Sequence, residues 1–259
     1  MRPGNYAEQA TTYDETRSAS PSILAAVREA LGPPGGRRLL DLAGGTGNYA
    51  APLADAGFRV LVADAEPAML ARATTKLPAG SFAAADGAAL PFRDRSFDCA
   101  TLVSAFHLFE DKPGALREVR RVVRGGPFVL QVFTRENLVP LLGEDYFDHP
   151  LHDEVRETEA EHVGLLREAG FANVEARPLA YRDVEDGSLS ALHTDAALLA
   201  DERNLRNTSY WQRMDEDTRR KGLARLQEDL ASGELERKVL RGLALAEEYG
   251  HVTVLVARP

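Results

Sequence analysis

Cysteine is almost absent: the 259-residue chain has one, Cys99. A single thiol cannot form an intramolecular disulfide, so a reducing, cytoplasmic compartment is expected. Cys99 sits in the apolar run SFDCATLV, which reads as a buried, unreactive thiol. No apolar stretch approaches the ~20 residues of a membrane span, so no membrane partner is expected. The opening segment MRPGNYAEQATTYDETR lacks the apolar core of a secretory signal. Positive charge is in deficit, with 31 Lys and Arg against 40 Asp and Glu and a formal net charge of −9. Such a surface repels phosphate backbones and argues against nucleic acid as substrate. The one basic run, VRRVVRGG, falls where a helix would end, and cations there complement the helix dipole. Internal repeats and low-complexity tracts are also missing.

What remains is a chain long enough to bury a full core, with 44% apolar and 27% charged residues. Its first two-thirds alternate short apolar runs with helical periods. RRLLDLA, FRVLVAD, SFAAAD, SFDCATLVSAF, PFVLQVFT and FANVEARPLAY read as strands. NYAAPLADAG, EPAMLARATTKL, KPGALREVRRVV and AEHVGLLREAG read as helices between them. This order predicts an α/β fold with a parallel sheet covered on both faces. From about residue 183 to residue 250 the pattern turns helical, and HVTVLVAR closes the chain as a strand. The organisation expected is one domain over 1–259, with an N-terminal helical cap over 1–35 and a helical lid or substrate insertion over 183–250, where substrate choice should reside.

The most informative stretch is RRLLDLAGGTGNYA, a strand followed by Gly44, Gly45 and Gly47. Gly45 to Ala50 fits the G-x-G-x-x-A dinucleotide turn, and Asp64 ends the next strand where a ribose diol would be held. Taken alone, that turn suits a nicotinamide enzyme, an NAD(P)-dependent oxidoreductase. Asp41 decides otherwise. A carboxylate ~5 Å from a pyrophosphate charge is repelled by roughly 3 kcal/mol at an effective dielectric of ~20. S-adenosylmethionine carries a sulfonium and an ammonium instead, and an acid favours both. Asp86 follows the third strand and can accept from an adenine amino group. Three acids thus converge on the carboxyl edge of the sheet, where open α/β sheets bind ligands; the plainer reading of each is a helix N-cap.

LLDLAGGTGNYA, VLVADAEPAML, AAADGAALPFRDRSFD, SAFHLFED and LREVRRVVRGGPFVL together resemble the successive signatures of class I S-adenosylmethionine-dependent methyltransferases, nearest to the ubiquinone/menaquinone-biosynthesis type. The resemblance spans roughly residues 6 to 180. It implies a Rossmann-like doubly wound sheet of seven strands, the last antiparallel, and S-adenosyl-L-methionine as cofactor. It implies a small-molecule methyl acceptor of the kind met in natural-product pathways; the expected reaction is methylation on O or N ahead of C. Asp41, Gly44, Gly45 and Gly47 match the cofactor turn and Asp64 the ribose acid. Ala65 and Met69 match positions against adenine, Asp86 and Gly87 the adenine edge, and Ser104 the strand end near the reactive methyl. The family usually has glycine where this chain has Ala43. Tyr13 and Arg17 lie in the segment that covers the cofactor in this family.

His107, just after the fourth strand, is the candidate general base, with loop ordering as its alternative role. His149 and His152 hint at a metal pair, but Pro150 between them argues against fixed ligand geometry, and no metal is expected. Tyr146 and Phe147 are candidate walls of an acceptor pocket. Arg206, Tyr210 and Trp211 in the insertion are candidate substrate contacts, with Trp211 as a core anchor the plainer reading. A cofactor-binding protein without catalysis stays open, as does a monomeric or homodimeric state.

Overall fold

The computed structural model describes residues 10, 13–137, 146–147, 157–180, 196–206, 211 and 214–259. Its seven strands are β1 (Arg38–Leu42), β2 (Arg59–Asp64), β3 (Ser81–Ala84), β4 (Cys99–Val103), β5 (Phe128–Val132), β6 (Asn173–Leu179) and β7 (Val252–Arg258). They form one sheet in the order β3-β2-β1-β4-β5-β7-β6. Strands β1 to β5 pair in parallel, and β7 runs antiparallel to both neighbours. The order turns back between β1 and β4, which opens a crevice at their carboxyl ends.

Helices α1 (Tyr13–Thr16), α2 (Pro21–Leu31), α3 (Ala50–Asp55) and α4 (Pro67–Lys76) precede β3, and α5 (Lys112–Val122) and α6 (Glu159–Glu168) follow β4 and β5. Successive strand side chains point to opposite faces, so each strand feeds two cores. Leu39, Val62, Cys99 and Val129 pack with Ile23, Val27, Leu53 and Leu70 on the α2–α4 face. Leu40, Leu42, Ala100, Leu102, Phe128 and Leu130 pack with Leu116, Val119 and Leu166 on the α5–α6 face. Burial on both sides explains why β4 and β5 read as largely apolar runs, each with one polar residue.

Local chemistry sets the helix starts. Ser20 accepts from the Ile23 amide ahead of Pro21, and Glu66 accepts from the Ala68 amide ahead of Pro67. Thr158 and Glu161 form a reciprocal capping box at α6. The basic run ends α5 as expected: Arg121 bonds Glu118, Asp94 and the Leu90 and Phe92 carbonyls. Cys99 is fully buried, and burial pushes its thiol up to about 11.

Two strands end earlier than the sequence suggests and turn out of the sheet. SFDCATLVSAF is a strand only over Cys99–Val103, because Ser104 takes a left-handed φ of 56° and a 3₁₀ turn, Phe106–Leu108, follows. PFVLQVFT stops at Val132, and a second 3₁₀ turn, Arg135–Asn137, leads out of the sheet.

The late helical region contains α7 (Ala196–Ala200), α8 (Glu202–Arg206), α9 (Glu216–Ser232) and α10 (Glu234–Tyr249), with Gly233 in the left-handed conformation at the α9–α10 corner. It has its own core: Leu199, Leu205, Trp211, Met214, Leu226, Leu235 and Val239, joined by Tyr146 and Phe147. Among the described residues no helix is long and apolar enough to cross a membrane.

Candidate cofactor and acceptor site

The carboxyl edge of β1 carries the densest chemistry. Asp41 is 2% exposed and points to the α2–α4 face. Thr101 on β4 donates to its Oδ1 at 2.8 Å, and Oδ2 is buried without a hydrogen-bond partner. Burial, reinforced by the charge of Asp64, raises the Asp41 carboxyl to about 7, against the lowering effect of the Thr101 bond. The glycine turn lies directly over it. A Cβ on Gly44 would sit 2.5 Å from Asp41 Oδ2 and 2.8 Å from Val62 Cγ1, so only glycine fits. Gly45 and Gly47 take φ of 55° and 79°, and a side chain at Gly47 would also strike Leu77. Ala43, where the resemblance calls for glycine, is left-handed at φ 53°.

Asp64 closes β2 beside this turn. Its Oδ2 accepts from the Gly45 amide at 2.9 Å and its Oδ1 from the Glu66 amide at 2.8 Å. Each oxygen keeps a further lone pair for a ligand hydroxyl. Burial raises its carboxyl, while the amide bonds pull the other way. Ala65 is exposed, and Met69 is buried in the first turns of α4. Asp86 follows β3 at the same edge, is exposed, and accepts from the Ala88 amide at 2.9 Å. Gly87 has a packing reason of its own: a Cβ there would lie 2.3 Å from the Phe109 ring.

The N-terminal segment is tied down on this turn by residues that sequence reasoning missed. Lys76 bonds Asp14 at 2.6 Å, Thr46 at 3.1 Å and also Asn48. Thr46 donates to Asp14 at 2.6 Å, and Asn48 donates to the Arg17 carbonyl at 3.1 Å. Tyr13 and Arg17, both half-buried, are thereby brought to the glycine turn. Lys76 ends its helix and so reads as a dipole complement, which hides the role. Thr101 and Gln131 left a fainter signal, being the polar residues inside the otherwise apolar CATLV and FVLQV.

On the far side of the crevice, Ser104 donates to Gln131 Oε1 at 2.6 Å. His107 is exposed on the 3₁₀ turn, edge-on to Phe133 with centroids 6.3 Å apart. Asp41 near the end of β1, Asp64 at the end of β2, Asp86 after β3, and Ser104 and His107 after β4 therefore mark the carboxyl ends of neighbouring strands. Tyr146, Phe147 and Trp211 are buried together in the insertion core. Phe147 meets Trp211 edge-on at 5.7 Å, Tyr146 donates to Asp229 at 2.8 Å, and Gly222 leaves room for the Phe147 ring. The insertion must bury apolar area of its own, and its largest rings are used for that. The side chain of Arg206, and Asn207, Tyr210, His149 and His152, lie outside the described residues. Among the described residues no three His, Cys, Asp or Glu side chains gather as a metal site.

An orphaned, buried carboxylate oxygen under a glycine turn disfavours a pyrophosphate and fits the cationic end of S-adenosylmethionine. Comparison with known proteins agrees. A methyltransferase domain family matches residues 40–130. The ubiquinone/menaquinone biosynthesis C-methyltransferase of Paracoccus denitrificans is 30% identical over 200 residues, 65% of this chain and 77% of that protein. The chain belongs to the class I S-adenosylmethionine-dependent methyltransferases. The demethylmenaquinone methyltransferase of Renibacterium salmoninarum is 37% identical over 115 residues, 44% of this chain, and the match spans 48% of that relative's length. In fold, the chain superposes on a solved protein of Anabaena variabilis, described as a methyltransferase from an antibiotic biosynthesis pathway. The TM-score is 0.79 at 24% identity, over 94% of this chain and 99% of that one.

Proposed function

We propose that the protein transfers a methyl group to an oxygen or nitrogen of a small organic acceptor held between the Phe106–Leu108 turn and the helical insertion. The observation that carries this reading is the buried Asp41 carboxylate, with one oxygen unpartnered beneath Gly44, in series with Asp64 on the same edge. S-adenosylmethionine, when bound, supplies a methyl already made electrophilic by its sulfonium. Asp64 is placed to hold ribose hydroxyls, Asp86 an adenine amino group, and Asp41 to set the sign of the field. The remaining work of the chain is positioning. Holding a nucleophile near-collinear at ~3 Å supplies several kcal/mol of the barrier. His107, on the exposed turn after β4, takes the acceptor proton where one must leave, an effect of about 10²–10⁴-fold.

A second reading, carbon methylation, is favoured by the C-methyltransferase relative from Paracoccus denitrificans. Titration calorimetry with S-adenosylhomocysteine tests both: no heat at millimolar ligand removes the methyltransferase reading. With a methyl-labelled donor, the carbon shift of the product methyl separates O, N and C transfer. His107→Ala should lower turnover far more than cofactor affinity; an equal loss of both makes His107 a loop-ordering residue.

A further inference from the structure

The insertion core draws on two stretches far apart in sequence, Tyr146–Phe147 and residues 199–239. Tyr146–Phe147 follows β5, whereas residues 199–239 lie between β6 and β7. Two of the roots of this core are the 3₁₀ turn Arg135–Asn137 after β5 and the end of α10 before β7. Because β5 and β7 are antiparallel, both roots emerge at the carboxyl edge, beside the crevice.

A single carboxamide joins them. Asn137 is 6% exposed. Its Oδ1 accepts from the Thr134 amide at 3.1 Å, the Thr134 hydroxyl at 2.9 Å and the Thr253 hydroxyl at 3.1 Å. Its Nδ2 donates to the Tyr249 carbonyl at 2.8 Å, across 112 positions of chain. The oxygen side holds β5 to β7, and the nitrogen side holds the end of α10. The oxygen side is buried and the nitrogen side partly so; breaking the oxygen side leaves polar groups without water. Strand β5, which leads to Asn137, carries Gln131, and Gln131 accepts from the Ser104 hydroxyl just past β4. One strand end thus fixes the acceptor mouth and the root of the insertion together.

We infer that Asn137 is the positioning residue that sets the insertion against the acceptor mouth. This rests on the reading that the insertion closes over that mouth. Asn137 need not touch an acceptor; it acts through Tyr249 and α10.

The chain's only tryptophan, Trp211, lies in the insertion core, so its emission reports that core alone. Thermal unfolding is followed by Trp211 emission and by far-ultraviolet circular dichroism in the full chain. Acrylamide quenching at 25 °C and S-adenosylhomocysteine affinity complete the readout. Asn137→Asp keeps an oxygen for the threonines and loses the donor to Tyr249; Thr253→Val removes one donor to Oδ1 and spares the Tyr249 bond. In Asn137→Asp the Trp211 transition should fall about 5 °C or more below the dichroism transition. Quenching should rise, and S-adenosylhomocysteine affinity should stay within about twofold. Thr253→Val should leave the two transitions together. Coincident transitions in Asn137→Asp, a tenfold loss of S-adenosylhomocysteine affinity there, or equal behaviour of the two variants would each overturn the assignment. Asn137→Ala, if it folds, should match Asn137→Asp. Failure of the wild-type chain to bind S-adenosylhomocysteine would instead remove the methyltransferase reading and leave the Trp211 result standing.

Discussion

Thr101 hydrogen-bonds Asp41 across the β1–β4 switch point at 2.8 Å, and the other Asp41 oxygen is buried beside Gly44 without a partner. The bond therefore satisfies half of a carboxylate that burial drives toward its neutral form. A bound cation would restore the charged form. Stability is given up here for a field of fixed sign at the cofactor turn.

This makes both stability and binding depend on pH. The folded Asp41 carboxyl sits at about 7, above its ordinary 3.8. The fold holds that proton better than the unfolded chain does. Its contribution is full below pH 4 and is lost as pH rises through 7, for a total of roughly 2–4 kcal/mol. Asp41→Asn should therefore exceed the wild type in urea stability at pH 8 and match it near pH 4. S-adenosylmethionine affinity should rise with pH up to about 7, with proton release seen by calorimetry in buffers of different ionisation heat. In Asp41→Asn, affinity should be lower and independent of pH.

Asp64 holds the Gly45 and Glu66 amides and has lone pairs left over. Asp64→Ala should weaken S-adenosylhomocysteine binding by roughly 1–3 kcal/mol, about five- to 150-fold. Asp64→Asn keeps one acceptor oxygen and should hold the turn better than alanine does. An unchanged dissociation constant in both variants would end the ribose assignment.

Ala43 occupies a left-handed position at φ 53°. A Cβ there costs roughly 1–2 kcal/mol, while glycine adds unfolded-state entropy worth about 0.4–1 kcal/mol. Ala43→Gly should therefore be neutral or stabilising by up to about 1 kcal/mol in chemical denaturation. Ala43→Val should destabilise, because a β-branched residue tolerates this region least.

Lys76 joins Asp14 on α1 to Thr46 and Asn48 of the glycine turn. Both members of the ion pair are partly exposed, so its worth to global stability should stay under about 1 kcal/mol. Its local effect should be larger. Lys76→Met should speed proteolysis around residues 13–20 and raise the S-adenosylhomocysteine dissociation rate several-fold, with little change in melting temperature. High salt should produce the same change in the wild type and not in the variant.

Much of this protein was legible along the chain, because the interactions that shape it locally are short in sequence. The strands announced themselves as apolar runs, and Pro21, Pro67 and the capping side chains marked helix starts. The acid–glycine–acid series Asp41, Gly45, Asp64 and Asp86 showed a shared edge and a cation-friendly turn. The tertiary structure alone decided what depends on partners remote in sequence. Asp41 is held near neutral by burial and a threonine 60 positions away, and Lys76 finds Asp14 across 62. Asn137 reaches Tyr249 and Thr253 across 112 and 116 positions. The sequence leaves Tyr146 and Phe147 as candidate pocket walls and Trp211 as a substrate contact or a core anchor, because apolar rings look alike in sequence whether they meet a ligand or one another. The tertiary structure packs the three rings into one core, where their apolar surface leaves water.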